Sequence, residues 1–129
     1  MFYAFTHTVQ DTEIITAPAR VEMPLTAGVI HQVDILFETG CVNEAKVQIF
    51  QGGHQLWPSN RGEALAGNAT IVSFREFHEL KPGANDLHAL VWGDGTIDDV
   101  QVIIQIGVLP KAILQPMSFS ELIKAAGAV

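Results

Sequence analysis

The sequence predicts an all-β fold, an antiparallel β-sandwich of about eight strands in a jelly-roll or immunoglobulin-like order, followed by a short C-terminal amphipathic helix. The first indication is the alternation of apolar and polar residues over short stretches, which is typical of strands with one buried face. The second is the recurrence of turn-forming residues about every 8–12 positions. Strands do not alternate with helical stretches, so a parallel sheet is not expected.

The clearest strand is 29–37, where Val33 and Ile35 point to one side and Gln32 and Asp34 point to the other. Gly-Gly, Pro-Gly and Asp-Gly turns separate the later segments. The other predicted strands are 2–9, 19–25, 46–50, 54–57, 70–76, 86–92 and 99–108.

Two residues predict positions within the sheets. Pro24 cannot donate a ladder hydrogen bond, which favours an edge position for strand 19–25. Ile103 lies on the face opposite Val102 and Ile104, so the last strand is apolar on both faces and is expected to be central.

Length and composition limit the possible functions. The chain has 129 residues, 48% apolar and 16% charged, which fits one folded domain whose charge is below the average of about 25%. A surface with so little charge suggests that other protein covers part of it. The net charge of −7, without a cluster of basic residues, argues against nucleic acid and anionic membrane surfaces as partners.

Compartment and redox state are predicted from what the chain lacks. Its one cysteine, Cys41, excludes an intrachain disulfide and is expected to be a partly buried thiol in a turn. The N-terminal residues do not resemble a signal peptide, and no apolar run reaches the ~18 residues of a membrane helix. We therefore expect a soluble protein made in the cytoplasm.

Residues 109–129 form a C-terminal extension to the predicted sandwich domain, residues 1–108. Ser118 and Glu121 form a capping box that predicts a helix of about two turns, which is marginal in isolation and must dock. The docking surface is either a neighbouring subunit or the chain's own domain, and the residues leave both open. The predicted interface residues are Ile113, Leu114, Met117, Phe119, Leu122 and Ile123.

Catalytic and metal-binding motifs are weak, so we expect neither an enzyme nor a cofactor. The five histidines show no His-x-His or His-x-x-x-His spacing, and a metal site would require three of them to converge in the fold. Cys41 and His54 could pair, but no third group orients them. The acidic turn at Asp94, Asp98 and Asp99 lacks the terminal glutamate of an EF-hand. The histidines are His7, His31, His54, His78 and His88.

Trp57 and Trp92 are the candidate ligand surface, because two exposed indole rings could stack on a sugar. Packing in the core is the competing interpretation for each ring.

Several stretches resemble a known group of proteins: Gly40-Cys41, Val47-Gln48-Ile49, residues 52–60 and residues 77–83. Over residues 1–108 the chain resembles small β-sandwich proteins encoded among the structural genes of tailed bacteriophages and in metagenomic phage contigs. The resemblance implies a virion component, either a capsid decoration (cement) protein or a head-fibre module. The matching stretches are markers of the fold, and the resemblance assigns no functional residue.

The leading hypothesis is therefore a non-enzymatic structural protein of the virion, assembled in the host cytoplasm. It would bind a capsid or other virion protein, or its own copies as a homo-oligomer, through the C-terminal tail and a sheet edge. The alternative is a β-sandwich carbohydrate-binding module that uses Trp57 and Trp92. A small hydrolase or isomerase that uses converging histidines is the third hypothesis.

Overall fold

The computed structural model describes residues 1–83 and 85–110, and within them the chain forms nine strands and no helix. The predicted C-terminal helix lies outside the described residues. The strands are β1 (Phe2–Val9), β2 (Ala19–Glu22), β3 (Gly28–Phe37), β4 (Lys46–Gln51), β5 (His54–Trp57), β6 (Leu65–Ala66), β7 (Thr70–Leu80), β8 (Leu87–Trp92) and β9 (Val100–Leu109).

Two antiparallel sheets face each other, which confirms the all-β class and the sandwich-like arrangement. Sheet I has the strand order β1-β9-β3-β7, and sheet II has the order β2-β8-β4-β5, with β6 also paired to β4. The predicted edge position of β2 and the predicted central position of β9 are both confirmed.

Several strand boundaries differ from the prediction, most by a single residue and those of β2 and β7 by more. β2 ends at Glu22, because Pro24 cannot continue the ladder. β7 continues past the predicted end at Glu76 to Leu80, and β6 lies in a stretch predicted to be a loop. β9 extends to Leu109, one residue beyond the predicted end of the sandwich domain.

The core lies between the sheets and is built by the inward side chains of the central strands. Val33, Ile35 and Phe37 of β3 belong to the same buried cluster as Val47 and Ile49 of β4. These side chains are almost completely removed from water, and this burial is the main stabilising contribution to the fold.

A bulge in β3 bends sheet I near one end. Ile30 pairs with Val108 and Gln32 pairs with Gly107, so His31 is an extra residue relative to β9. A bulge bends its strand and increases the local twist. Here it places His31 against Gly107, where an added Cβ would lie 2.8 Å from the His31 Nε2 atom.

Candidate interaction surface

The sequence-predicted interface residues Ile113, Leu114, Met117, Phe119, Leu122 and Ile123 lie outside the described residues. Their role in binding stays a prediction. The candidate surface described below comes from the sandwich itself.

The two tryptophans are packed side chains. The Trp57 ring contacts the rings of Phe74 and His78 with centroids 5.8 and 5.9 Å apart, so it joins sheet II to sheet I. Trp57 is only 5% exposed and Trp92 only 7%. A sugar-stacking platform needs open ring faces, and this degree of burial supports the core-packing interpretation of both residues.

Three of the histidines contact three different partners. His7 Nε2 lies 3.0 Å from a Glu13 carboxylate oxygen, and the His88 ring stacks on Phe50 with centroids 5.5 Å apart. His78 Nε2 is hydrogen-bonded to the side-chain oxygen of Gln51 at 2.8 Å. Among the residues that the structure describes, no group of three or more His, Cys, Asp or Glu side chains could hold a metal ion.

The acidic turn uses its first carboxylate to close the turn. Asp94 Oδ1 accepts hydrogen bonds from the Thr96 backbone N–H at 2.9 Å and from the Thr96 hydroxyl at 2.6 Å. These bonds hold the pKa of Asp94 below its ordinary value. The Asp98 carboxylate instead accepts the Asp11 backbone N–H at 3.0 Å.

The outer face of sheet I, the side turned away from the core, exposes large apolar side chains. Phe2 is 69% exposed, Ile71 58% and Phe77 55%. Ile71 lies opposite Leu36, which also pairs with Ile103 on β9. The outer face therefore carries an apolar cluster across three strands, in addition to the two exposed phenylalanines.

Phe2 and Phe77 border a shallow depression of about 520 Å³ on this face. The Phe2 ring meets the His31 ring edge to face, with centroids 5.8 Å apart. His31 Nε2 is buried and has no hydrogen-bond partner among the described residues. The depression therefore has open aromatic surface, and His31 in its lining carries a buried nitrogen that does not face solvent.

The polar part of the outer face is a small hydrogen-bonded group. Gln32 Nε2 donates to Asp34 Oδ1 at 2.9 Å and to the Ser73 hydroxyl at 2.8 Å, and Ser73 also donates to Asp34. The adjacent Arg75 side chain makes no hydrogen bond or ion pair within the described part of the chain. Apolar side chains beside a polar rim and an available arginine are typical of protein interfaces.

The sheet edges differ in how well they are protected against pairing with another chain. Short strands, charges and bulges are the usual protective features. β2 is short and carries Arg20 and Glu22, and β5 and β6 are shorter than the strands of sheet I. β7 is long, but it carries Arg75 and Glu76 at an irregular step where Gln32 and Ile30 pair with Arg75 and His78.

β1 lacks these protective features. It pairs with β9 at every residue from Phe2 to Val9 without a register shift, and it contains no Lys, Arg, Asp, Glu, Pro or Gly. In the described residues it has no strand neighbour on its other side. β1 is therefore a regular edge without Lys, Arg, Asp or Glu, open from Phe2 to Thr8, whereas Val9 at its end is buried.

The sequence contained a signal for this surface that we did not use. Large apolar residues occupy positions that the alternation assigns to the solvent side of their strands, namely Phe2, Ile71 and Phe77. Such residues mark a strand whose second face also makes contacts.

No protein-family model matches the sequence, and no curated protein matches it either. No helix within residues 1–83 and 85–110 is long and apolar enough to cross a membrane.

Proposed function

We propose that this chain is a non-enzymatic structural subunit of a phage-like particle, a capsid decoration (cement) or head-fibre component. The strand orders β1-β9-β3-β7 and β2-β8-β4-β5 support a jelly roll, since the first strand neighbours the last and every connection crosses between the sheets except those that join β4, β5 and β6 within sheet II. Jelly rolls are used in viral capsid and lectin domains. One fold can serve many functions, so this shared architecture does not by itself assign a role. The proposal therefore depends on the exposed surface of sheet I.

The observation that carries the proposal is the apolar outer face of sheet I. Phe2, Ile71 and Phe77 are each more than half exposed on one side of a single sheet. Burying an aromatic or aliphatic side chain completely contributes about 1.5–3 kcal/mol, reduced by the cost of ordering the interface. A sheet face with apolar side chains on several strands fits the surface of a shell protein better than it fits a small molecule.

The predicted tail would add a second contact to the same particle. β9 ends at Leu109, and its partner Val29 lies at the end of the sheet where Phe2 pairs with Gly107. The last described residue, Pro110, lies near Gly28, Glu79 and Pro82. The predicted apolar residues of the tail would bind a neighbouring protein in addition to the outer face.

Incorporation into particles tests the proposal directly. Particles from a culture that produces the chain would be purified on a density gradient and quantified by mass spectrometry. We expect the chain in a fixed ratio to the major shell protein. Recovery only in the fractions without particles would contradict an assembly role.

Variants of the full chain identify the surface involved. Phe2→Ser with Phe77→Ser should reduce incorporation at least about tenfold, because two apolar contacts are lost. The control is Ile15→Ser, which removes an apolar side chain that is 70% exposed in the loop after β1. Phe119→Ser with Leu122→Ser tests the tail in the same assay. Equal incorporation of the Phe2/Phe77 variant and the Ile15 control would exclude the outer face as the binding surface.

A further inference from the structure

The β1 edge can accept one more antiparallel strand. Each strand of an antiparallel pair presents alternating N–H and C=O groups, and along β1 this pattern is uninterrupted from Phe2 to Val9. We propose that two copies of this chain pair through β1 about a two-fold axis at Phe5, so that their sheets I join into one eight-stranded sheet. This contact rests on the proposed assembly role for its biological purpose and is tested separately from incorporation into particles.

A second copy is the occupant that the edge fits. A two-fold axis perpendicular to a sheet makes an antiparallel edge complementary to itself. The chain carries a net charge of −7, so most contacts between copies would bring acidic groups together. β1 contains no Lys, Arg, Asp or Glu, and its one histidine, His7, would lie opposite the partner's Tyr3, so pairing there opposes no like charges.

The side chains that border the edge are suited to further burial. Tyr3, Phe5 and His7 face the core side of β1 and are only partly buried, although Tyr3 and Phe5 already pack against the core. The Tyr3 hydroxyl lies 2.9 Å from the Thr26 hydroxyl, and His7 contacts the Glu13 carboxylate. These contacts hold the rings in place, so little side-chain freedom is lost when a second strand covers them.

The burial of β1 selects the register. Residues that lie opposite each other must point to the same face of the joined sheet. The two-fold axis therefore lies midway between the two copies of one residue, and not between successive residues. An axis at Phe5 opposes Ala4 to the partner's Thr6 and Tyr3 to the partner's His7. An axis at Thr6 would oppose Tyr3 to the partner's Val9, but Val9 is fully buried. The Phe5-centred register uses the accessible part of the strand.

The oligomeric state of the full chain is the first test. Light scattering and sedimentation should give a dimer, and Ala4→Glu with Thr6→Glu should weaken it about tenfold by opposing two pairs of like charges. The control is Ser59→Glu with Asn60→Glu, which adds the same charge at two exposed positions of the loop after β5, away from the β1 edge. A wild-type chain that is monomeric, or a dimer that both variants weaken equally, would overturn the proposal.

Cysteine cross-linking tests the register. Opposed residues have Cα atoms about 4.5–5.5 Å apart, within disulfide range, whereas diagonal positions lie about 7–8 Å apart. An equal mixture of Ala4→Cys and Thr6→Cys chains should form a disulfide-linked dimer on mild oxidation, and neither variant should do so alone. Wild type is the control for Cys41, which is buried. Cross-linking of the Thr6→Cys chain alone, or no cross-link in the mixture, would refute the Phe5-centred pairing.

The two experiments separate this proposal from the proposed function. A monomeric chain that is incorporated into particles would reject the β1 pairing and keep the assembly role. A β1-linked dimer that is absent from particles would keep the pairing and reject that role.

Discussion

Gln55 holds the loop after β5, and its replacement gives a sharp test of the fold. The side chain is only 7% exposed. Its amide nitrogen donates to the carbonyl oxygens of Pro58 at 2.7 Å and Glu63 at 3.2 Å, and its oxygen accepts the Gly62 N–H at 3.2 Å. One side chain therefore binds both ends of the loop that follows Trp57.

The expected loss follows from these three hydrogen bonds. Each contributes about 0.5–1.5 kcal/mol net, so Gln55→Ala should lower the free energy of unfolding by about 2–4 kcal/mol. Gln55→Glu should cost more at pH 7, because a carboxylate oxygen would replace the donor that faces the carbonyl oxygens of Pro58, Asn60 and Glu63. The extra cost should shrink as the pH falls and the carboxyl group takes up a proton.

Urea unfolding of the full chain, followed by tryptophan fluorescence and circular dichroism, measures both effects. Gln105→Ala is the control, because Gln105 is exposed on β9. A Gln55→Ala loss below about 0.5 kcal/mol, or a Glu variant no less stable than the Ala variant at pH 7, would refute this account of the loop.

Three further predictions concern the core and its titrating groups. Phe37→Ala should cost about 3–5 kcal/mol in urea unfolding, because Phe37 is fully buried, whereas Phe77→Ala should cost under about 1 kcal/mol; equal losses would contradict the assigned faces of sheet I. Burial lowers the pKa of His78, so the unfolded chain takes up its proton first, and stability should fall as the pH drops below the ordinary histidine value of about 6.5. His78→Gln should flatten this pH dependence, and an unchanged slope would refute the assignment. Burial also raises the pKa of the Cys41 thiol, so iodoacetamide at pH 8 should modify native Cys41 far more slowly than the urea-unfolded chain; similar rates would show that the thiol is accessible.

Alternation predicted the strands well where each had one buried face. β3 and β4 have this form, because Val33 and Ile49 face the core while Gln32 and Gln48 are less buried. β6 was missed because a strand of two residues shows no periodicity. The neighbours of each strand could not be predicted, since alternation defines which face is buried and not which strand lies alongside.

The candidate surface was predicted less well than the fold. The expected ligand rings, Trp57 and Trp92, are buried. The sequence alone does not distinguish a tryptophan that packs in the core at the end of a strand from one that is exposed there. Phe77 was placed beyond the predicted end of its strand. It nevertheless lies on the same side of β7 as Ile71, Ser73 and Arg75. Its exposure depends on how the sheets pair, which is a tertiary property.

The pairing of β1 with β9 has a mechanical consequence. The Met1 amino group donates to the Val108 carbonyl at 2.8 Å, and the Val108 N–H donates to the Met1 carbonyl at 2.7 Å, so the start of β1 and the end of β9 lie side by side. Tension between these two points would pull antiparallel neighbours apart from one end. The ladder would open pair by pair, from Phe2–Gly107 toward Val9–Val100, at a much lower force than shearing all pairs at once requires. A subunit that carries load in a particle would therefore have to be held at other points of the sandwich, such as the turns at its opposite end.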